Sequence, residues 1–344
     1  MIDMKIAILT PTFSHFSGID RLVELKSREF IGQGQEVDIF ALKGTLKPKK
    51  ANLFLMGCPS YPFLERIYRL FMFLDFRKIK HYVQILQDYD LIISHLYPMN
   101  ILASKAKKKN KNIKYIYHNA GVGIVESYSI LEKLYLHIFN YFTNNSIKNA
   151  DKVISISNFL RKELKRETGI DSEVEYIPID KKRFHKGIRG EMIRKRYNIK
   201  DQPILLYIGR VSPHKGIHIL IRAFQKVKEK FPDSKLIIVG KKTFGNYIKK
   251  LKKMSNTDII FTGFVNDNDL PNFYAACDVY TTASLWEGFD LPLAEANAMA
   301  KPAVAFDIGA HKEVMKKGRL VKKGDIGEFA KAVITFIEKK NLKA

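Results

Sequence analysis

The sequence predicts an α/β protein built of two doubly wound, parallel-sheet halves, and three observations predict it. Short apolar runs alternate with helix-spaced apolar patterns from end to end, the signature of βαβ units. The alternation lapses once, in the charged run PIDKKRFHKGIRGEMIRKRYNIKDQ over residues 178–202, and then restarts in the same style. The length, 344 residues, suits two domains of ordinary size with buried cores.

In the first half KIAILT (5–10), EVDIFA (36–41), LIISH (91–95), IKYIYH (113–118) and KVISIS (152–157) read as strands. The N-terminal MIDMKIAILTPTF has one acid, one lysine and only a short apolar run, so it reads as the first strand and not as a signal peptide. Apolar residues at three- and four-residue spacing predict a helix over the stretch from Ile67 to Leu86. The charged run 178–202 reads as the connection, with one short helix in it, which sets the domains at 1–180 and 181–344. Beyond it ILLYIGR (204–210), KLIIVG (235–240), DIIFTG (258–263), DVYTTA (278–283) and PAVAFD (302–307) read as strands. A helix is predicted from Pro292 to about Ala300, with the proline in its first turn, and another over 325–340. Ligands of such sheets bind outside the carboxyl ends of the strands, so the expected site is a cleft between the two facing halves.

Hydrophobic residues make up 46% and charged residues 27%, the balance of a soluble globular protein. Cys58 and Cys277 stand far apart with no CxxC, which argues against a disulfide framework or a zinc site and fits a reducing compartment. No apolar run approaches the roughly 18 residues that span a bilayer. The cytoplasm is the expected location. The 59 Lys+Arg against 35 Asp+Glu, a formal net charge of +24, would attract nucleic acid, anionic lipid or phosphorylated ligands. KAKKKNKNIK (105–114) reads as a solvated helix end and loop. NDND (266–269) resembles an acidic metal motif but precedes a helix pattern, so capping is its expected role and no metal site is expected.

Two stretches carry chemistry. In YIGRVSPHKG, Gly209 ends a strand, Arg210 follows at once, and Lys215 with Gly216 opens the next helix. A forked guanidinium, a point-charge ammonium and a helix end together suit a diphosphate; two surface cations on a strand-turn-helix is the plainer alternative. In SLWEGFDLPLAE, Glu287, Gly288 and Phe289 form a loop before the helix, and Gly288 would let backbone amides approach a ligand. Glu295 is expected in the first helical turn, where a carboxylate suits the dipole. Glu287 has no such structural reason.

These residues resemble the signature of the retaining GT-B glycosyltransferases of glycosyltransferase family 4, GR-x4-KG followed by EGF-x-LP-x-x-E, here GRVSPHKG and EGFDLPLAE. FPDSKLIIVG, IIFTGFV, LPNFYAACDVYTTAS, AKPAVAFDIGAHKEV and LVKKGD match as well. FSGIDRLVELKSREFIGQGQEVDIF, YIYHNAG, ISISNFLRKEL and YIPIDKKRF extend the likeness more loosely through the first half. The resemblance implies two Rossmann-like domains, the first on the acceptor side and the second binding the nucleotide sugar. It implies transfer of a hexose-type sugar from a UDP- or GDP-sugar, with no cofactor, no metal and retention by front-face attack. Arg210 and Lys215 would neutralise the diphosphate. Glu287 would contact the donor sugar, helped by the backbone of Gly288, Phe289, Asp290 and Leu291, and Glu295 would hold the ribose. Gly18 would bring amides near the diphosphate from the first domain. His118 matches the family's histidine near donor sugar and acceptor, with His95 a second candidate; either could equally be structural.

The chain departs from the family in two places. Asp290 stands where the family often has glycine, and FSGID offers one glycine, Gly18, where many relatives have two. Neither change removes a charged contact. The acceptor implied is a glycan or a lipid-linked molecule. YPFLERIYRLFMFLDFRKIKHYVQIL (61–86) mixes large apolar residues with Arg and Lys, which suits docking on an anionic membrane or, equally, packing on the core with a cationic outer face. The rival readings are weaker. A dinucleotide enzyme needs GxGxxG after the first strand, and LTPTFSHFSG lacks it; GQG (32–34) and GVG (121–123) do not supply it. A nucleic-acid-binding protein lacks a reading motif, and a silent nucleotide-sugar-binding subunit sits poorly with intact Arg210, Lys215, Glu287 and Glu295. No facing pair of carboxylates signals glycosidase chemistry.

Overall fold

A computed structural model of the chain describes residues 4–14, 18–48, 50–121, 130–242 and 245–342. Residues 16–17 of FSGID and 122–123 of the GVG run therefore lie outside the described residues. By internal packing the described residues divide into two compact units, with a break between Ile177 and Pro178.

The first unit holds β1 (Lys5–Phe13), α1 (Gly18–Gly32), β2 (Glu36–Gly44), β3 (Asn52–Leu55), α2 (Pro62–Phe71), α3 (Phe76–Ile85), β4 (Leu91–His95), α4 (Met99–Lys109), β5 (Lys114–Asn119), α5 (Ile130–Ile147), β6 (Lys152–Ser155), α6 (Asn158–Thr168) and β7 (Glu173–Val174). Its seven strands form one parallel sheet in the order β3-β2-β1-β4-β5-β6-β7. Alternate residues of β1 enter two different cores. Ile6 and Ile8 pack with Val23, Val37 and Ile39, whereas Ala7 and Leu9 pack with Phe40, Leu102 and Tyr115. A strand buried on both faces explains why its sequence reads as a continuous apolar run.

The second unit holds α7 (Glu191–Arg196), β8 (Ile204–Ile208), α8 (Ile217–Lys230), β9 (Lys235–Val239), α9 (Gly245–Met254), β10 (Ile259–Gly263), α10 (Leu270–Ala276), β11 (Val279–Thr282), α11 (Leu291–Ala298), β12 (Ala303–Phe306), α12 (His311–Val314), β13 (Gly318–Val321) and α13 (Ile326–Asn341). Its six-stranded parallel sheet runs β10-β9-β8-β11-β12-β13. Strand order reverses between β8 and β11, and that switch point sets the loops after these two strands side by side. The charged run 178–202 packs on this unit and is no loose tether. Arg194 donates to the carbonyls of Ala276, Lys200 and Gln202 and pairs with Asp278 at 3.1 Å.

Three features differ from the sequence reading. The helical stretch to Leu86 is two helices, because the Asp75 side chain accepts from Lys78 N at 3.0 Å and caps α3 after a 3₁₀ turn at 72–74. β3, β7 and β13 are short edge strands in which Val321 of β13 is the one buried residue, so periodicity has little to register there. Glu295 is not in the first turn of α11. The helix starts at Leu291 with Asp290 as its cap, which puts Glu295 one residue past that turn and removes the dipole as its reason. NDND caps a 3₁₀ turn at 267–269 and not α10 itself: the Asn266 side chain accepts from Asn268 N at 3.0 Å, while Asp269 at the start of α10 makes no side-chain cap.

Candidate functional site

The loop after β8 runs from Gly209 to Gly216, and the loop after β11 from Ala283 to Asp290. Gly216 welds them together. Its φ is +64°, and a Cβ there would lie 1.9 Å from the carbonyl oxygen of Ala283, so only glycine lets the loops touch. Leu285 N donates to the His214 carbonyl at 2.8 Å, a second seam. This close approach delivers Lys215 to Glu287, with Nζ–Oε1 at 2.5 Å and both side chains largely buried. Arg210, on the same loop, is exposed and has no carboxylate within ion-pair distance among the described residues. His214 is held neutral, its pKa pushed down to about 2 by burial and by the Lys215 and Arg210 charges.

Gly288, Phe289 and Leu291 are buried around this corner, and Asp290 occupies the left-handed region at φ +72°. That conformation costs a non-glycine residue roughly 1 kcal/mol, least for Asp and Asn. Two contacts offset the strain. Oδ1 accepts from Leu293 N at 3.2 Å, a helix cap, and Oδ2 lies 3.0 Å from Nε2 of the fully buried His311. The other ring nitrogen of His311 is 2.6 Å from the Phe306 carbonyl oxygen. Burial alone would lower the His311 pKa, but the Asp290 carboxylate, Glu287 and the Phe306 carbonyl outweigh it and the pKa is raised. Burial would likewise raise the Asp290 pKa, but His311, Lys215 and Leu293 N outweigh it and the pKa falls. The loop before α12 supports the same corner. Ala310 N donates to the Glu287 carbonyl at 3.1 Å, and Gly309 at φ +49° would bring a Cβ to 2.1 Å from that oxygen.

Ligand atoms of Glu287, Asp290 and His311 lie within 4.8 Å of one another, close enough for a metal ion. Each residue is already committed: Glu287 to Lys215, Asp290 to Leu293 N and His311, and His311 to Phe306 O and Asp290. Glu295, buried one turn along α11, accepts from the Tyr274 hydroxyl at 2.8 Å. Arg210, Lys215, Gly288, Phe289, Asp290, Leu291, Glu287 and Glu295 thus gather at one end of one sheet.

Gly18, His95 and His118 belong to the other unit. Gly18 is the first residue of α1, and Asp20 in that helix ties it to the end of β1, accepting from Thr12 at 3.0 Å and Ser14 at 2.9 Å. His95 and His118 are register partners at the C-terminal ends of β4 and β5, their rings edge-to-face with centroids 4.8 Å apart. Burial drives both pKa values down. His118 falls to about 4, and His95 falls well below the usual value with His118 adding to the effect, so both are neutral at pH 7. Among the described residues, both nitrogens of His95, Nδ1 of His118 and the whole amide of buried Asn100 in α4 have no hydrogen-bond partner. Sequence reasoning missed Asp20, Asn100, Tyr274 and His311. His311 sits within AKPAVAFDIGAHKEV, but its partner is 21 residues away and no local pattern reveals the pair.

Two family models match the chain: Glycosyltransferase Family 4 over residues 16–179 and Glycosyl transferases group 1 over residues 190–344. Putative glycosyltransferase YtcC of Bacillus subtilis is 27% identical over 67% of this chain and 58% of its own length. The GDP-mannose-dependent alpha-(1-6)-phosphatidylinositol monomannoside mannosyltransferase of Mycolicibacterium smegmatis is 29% identical over 54% of this chain and 52% of its own. The chain spans about half the length of the curated relatives it matches. Among solved structures, Anabaena Alr3699/HepE in complex with UDP and glucose aligns with a TM-score of 0.80 over 98% of this chain and 91% of that one, at 21% identity. The likeness is one of fold, and the fold is GT-B.

Proposed function

The chain belongs to glycosyltransferase family 4, the glycosyl transferases group 1, and on that footing we propose that it moves a hexose-type sugar from a UDP- or GDP-sugar to a glycan or lipid-linked acceptor. The observation that supports this most is the clasp of Lys215 on Glu287 at the switch point of the second sheet. In this reading Arg210 and Lys215 neutralise the diphosphate as it departs, where a preorganised charge is worth most. Glu287 takes hydroxyls of the donor sugar, the backbone of Gly288–Leu291 lines it, and Glu295 takes the ribose. His118, neutral at pH 7, serves as a hydrogen-bond partner to a sugar hydroxyl and not as a proton source. Gly18, opening α1, is in this reading the first unit's contribution, offering backbone amides to a phosphate. Retention by front-face attack and transfer without a metal ion complete the proposal. The second is supported by the ligand atoms of Glu287, Asp290 and His311 being spent on protein partners.

The decisive experiment is a thermal-shift panel of UDP, GDP, ADP and their sugars on the wild type and Glu295→Ala. The expected result is stabilisation by one nucleotide family, weakened in the variant. No stabilisation by any nucleotide would overturn the donor assignment, and stabilisation without transfer to any acceptor would leave a silent binding subunit.

A specific observation also favours a membrane-borne acceptor. Phe63, Leu64, Ile67, Phe71, Leu74 and Phe76, on α2 and just beyond, are all exposed, with exposed Arg66, Arg77 and Lys80 beside them. The spacing gives α2 an apolar stripe turned to solvent, the arrangement of a helix that lies in a lipid interface. Among the described residues no helix is long and apolar enough to cross a membrane. Co-sedimentation with anionic vesicles should exceed that with neutral ones and fall for Phe63→Ser/Phe71→Ser. Equal binding to both vesicle types would sink the idea.

A further inference from the structure

Four charged side chains meet at the switch-point corner in alternating sign: Lys215, Glu287, His311 and Asp290. His311 is the unexpected member: it lies within AKPAVAFDIGAHKEV, but nothing in that run points to a partner 21 residues away. Its protonation state follows from its partners. A carbonyl oxygen only accepts, so the Nδ1 that lies 2.6 Å from Phe306 O carries a proton. The Nε2 faces a carboxylate oxygen at 3.0 Å, and one further proton is shared there. The lowered Asp290 pKa and the raised His311 pKa put that proton on the ring, as an imidazolium.

Two seams join this histidine's loop to the donor corner. Ala310 N holds the Glu287 carbonyl, and His311 holds the Asp290 carboxylate, so residues 287 and 290 are each fixed from the same neighbouring turn. The backbone between them is Gly288 and Phe289.

We propose that His311, through Asp290, is a positioning residue for the donor: it keeps the 287–290 loop in the form that receives the diphosphate sugar and supplies a fixed positive charge when Lys215 turns from Glu287 to the phosphates. This deepens the donor-site reading and rests on it. Asp290 and Glu287 face His311 from the loop before α11, and Lys215 acts on Asp290 from the β8 loop. Tyr207 and Tyr280, buried beside these acids, stay protonated. On its own element, Lys312 is exposed and pairs with Asp307 at 3.0 Å, and Glu313 is half-buried. The sign is therefore fixed: the contact is complete at and below the ordinary histidine range and is lost as pH rises through the raised His311 value.

The test is calorimetric binding of UDP and of GDP between pH 6 and pH 8.5 on the wild type, His311→Ala, His311→Gln and Asp290→Gly/His311→Ala. For the nucleotide that binds, wild-type affinity should weaken toward the alkaline end. His311→Ala should weaken binding about tenfold or more at pH 6.5, because a buried carboxylate loses its partner. His311→Gln keeps a donor without a titrating charge, so its affinity should fall less and be flat with pH. Removing both partners should recover much of what His311→Ala loses, a coupling that independent sites would not show. If wild type and both single variants bind alike with one pH profile, or the double variant binds no better than His311→Ala, the inference is overturned. If His311→Ala does not fold, the profile of His311→Gln decides alone. If the wild type binds neither nucleotide, the donor reading falls and this inference with it.

Discussion

Two buried histidine sites, His311 in the second unit and the His95–His118 pair in the first, are handled in opposite ways. In the second, His311 is buried against a carboxylate and a carbonyl, every hydrogen-bonding atom used, and its pKa is raised. In the first, His118 and His95 are as deeply buried, but among the described residues Nδ1 of His118 and both nitrogens of His95 lack a partner, and both pKa values are lowered. In one place the surroundings favour the protonated ring, and in the other they favour the neutral one. A buried polar atom without a partner costs about 1–3 kcal/mol, so folding alone does not explain the first arrangement. The second-unit corner is wired to itself before any ligand arrives, whereas the first-unit corner keeps hydrogen-bonding capacity in hand.

The sharpest way to break this contrast is to cut the wiring. On the proposed reading, Lys215→Ala and Glu287→Ala should each lower turnover by about 10²–10³-fold while circular dichroism stays native, since each would remove a preorganised charge from the transition state. Near-normal transfer by both variants would show that the corner is structural. Next in size is the pH signature. His118, with a folded pKa near 4 against about 6.5 unfolded, makes the unfolded chain the better proton binder between those values, so stability falls as pH drops through that window. His311 does the reverse: its contribution is full below about 6.5 and is lost as pH rises through its raised value. Thermal melts across pH 4 to 9 should show an acid limb that His118→Gln flattens and an alkaline limb that it leaves alone. An unchanged acid limb in that variant would remove the contrast. The smallest effect is expected from Tyr274→Phe, which takes away the hydroxyl that fixes Glu295. Nucleotide affinity should drop a few-fold, consistent with about 1 kcal/mol for one hydrogen bond, with kcat little changed.

The contrast also marks what could be read in advance. Alternating apolar runs reveal every central strand, because burial on both faces leaves a continuous signal in β1, β4, β8 and β9. The edge strand β3 has no buried residue and β13 has only Val321, so neither left such a signal. Asp75 breaks a helix by a capping contact that period-3.6 counting ignores. At the candidate site, GRVSPHKG and EGFDLPLAE carry their residue types in order, so Lys215 and Glu287 stand out from the sequence. Their meeting at 2.5 Å does not, since it depends on strand order. His311 was illegible for the same reason, and Asn100 because an unpartnered amide looks like any other asparagine in a sequence.

The absent Cβ of Gly216 has a consequence for how this corner can be altered. Because the Ala283 carbonyl occupies the place a side chain would take, the two signature loops share one backbone surface although some seventy residues of sequence separate them. They form a single cassette. A chimera that imports the β8 loop from another chain while keeping this β11 loop would inherit a mismatched seam. Altering donor preference by recombination would therefore require moving both loops as a pair, with the turn at 307–311 that braces them.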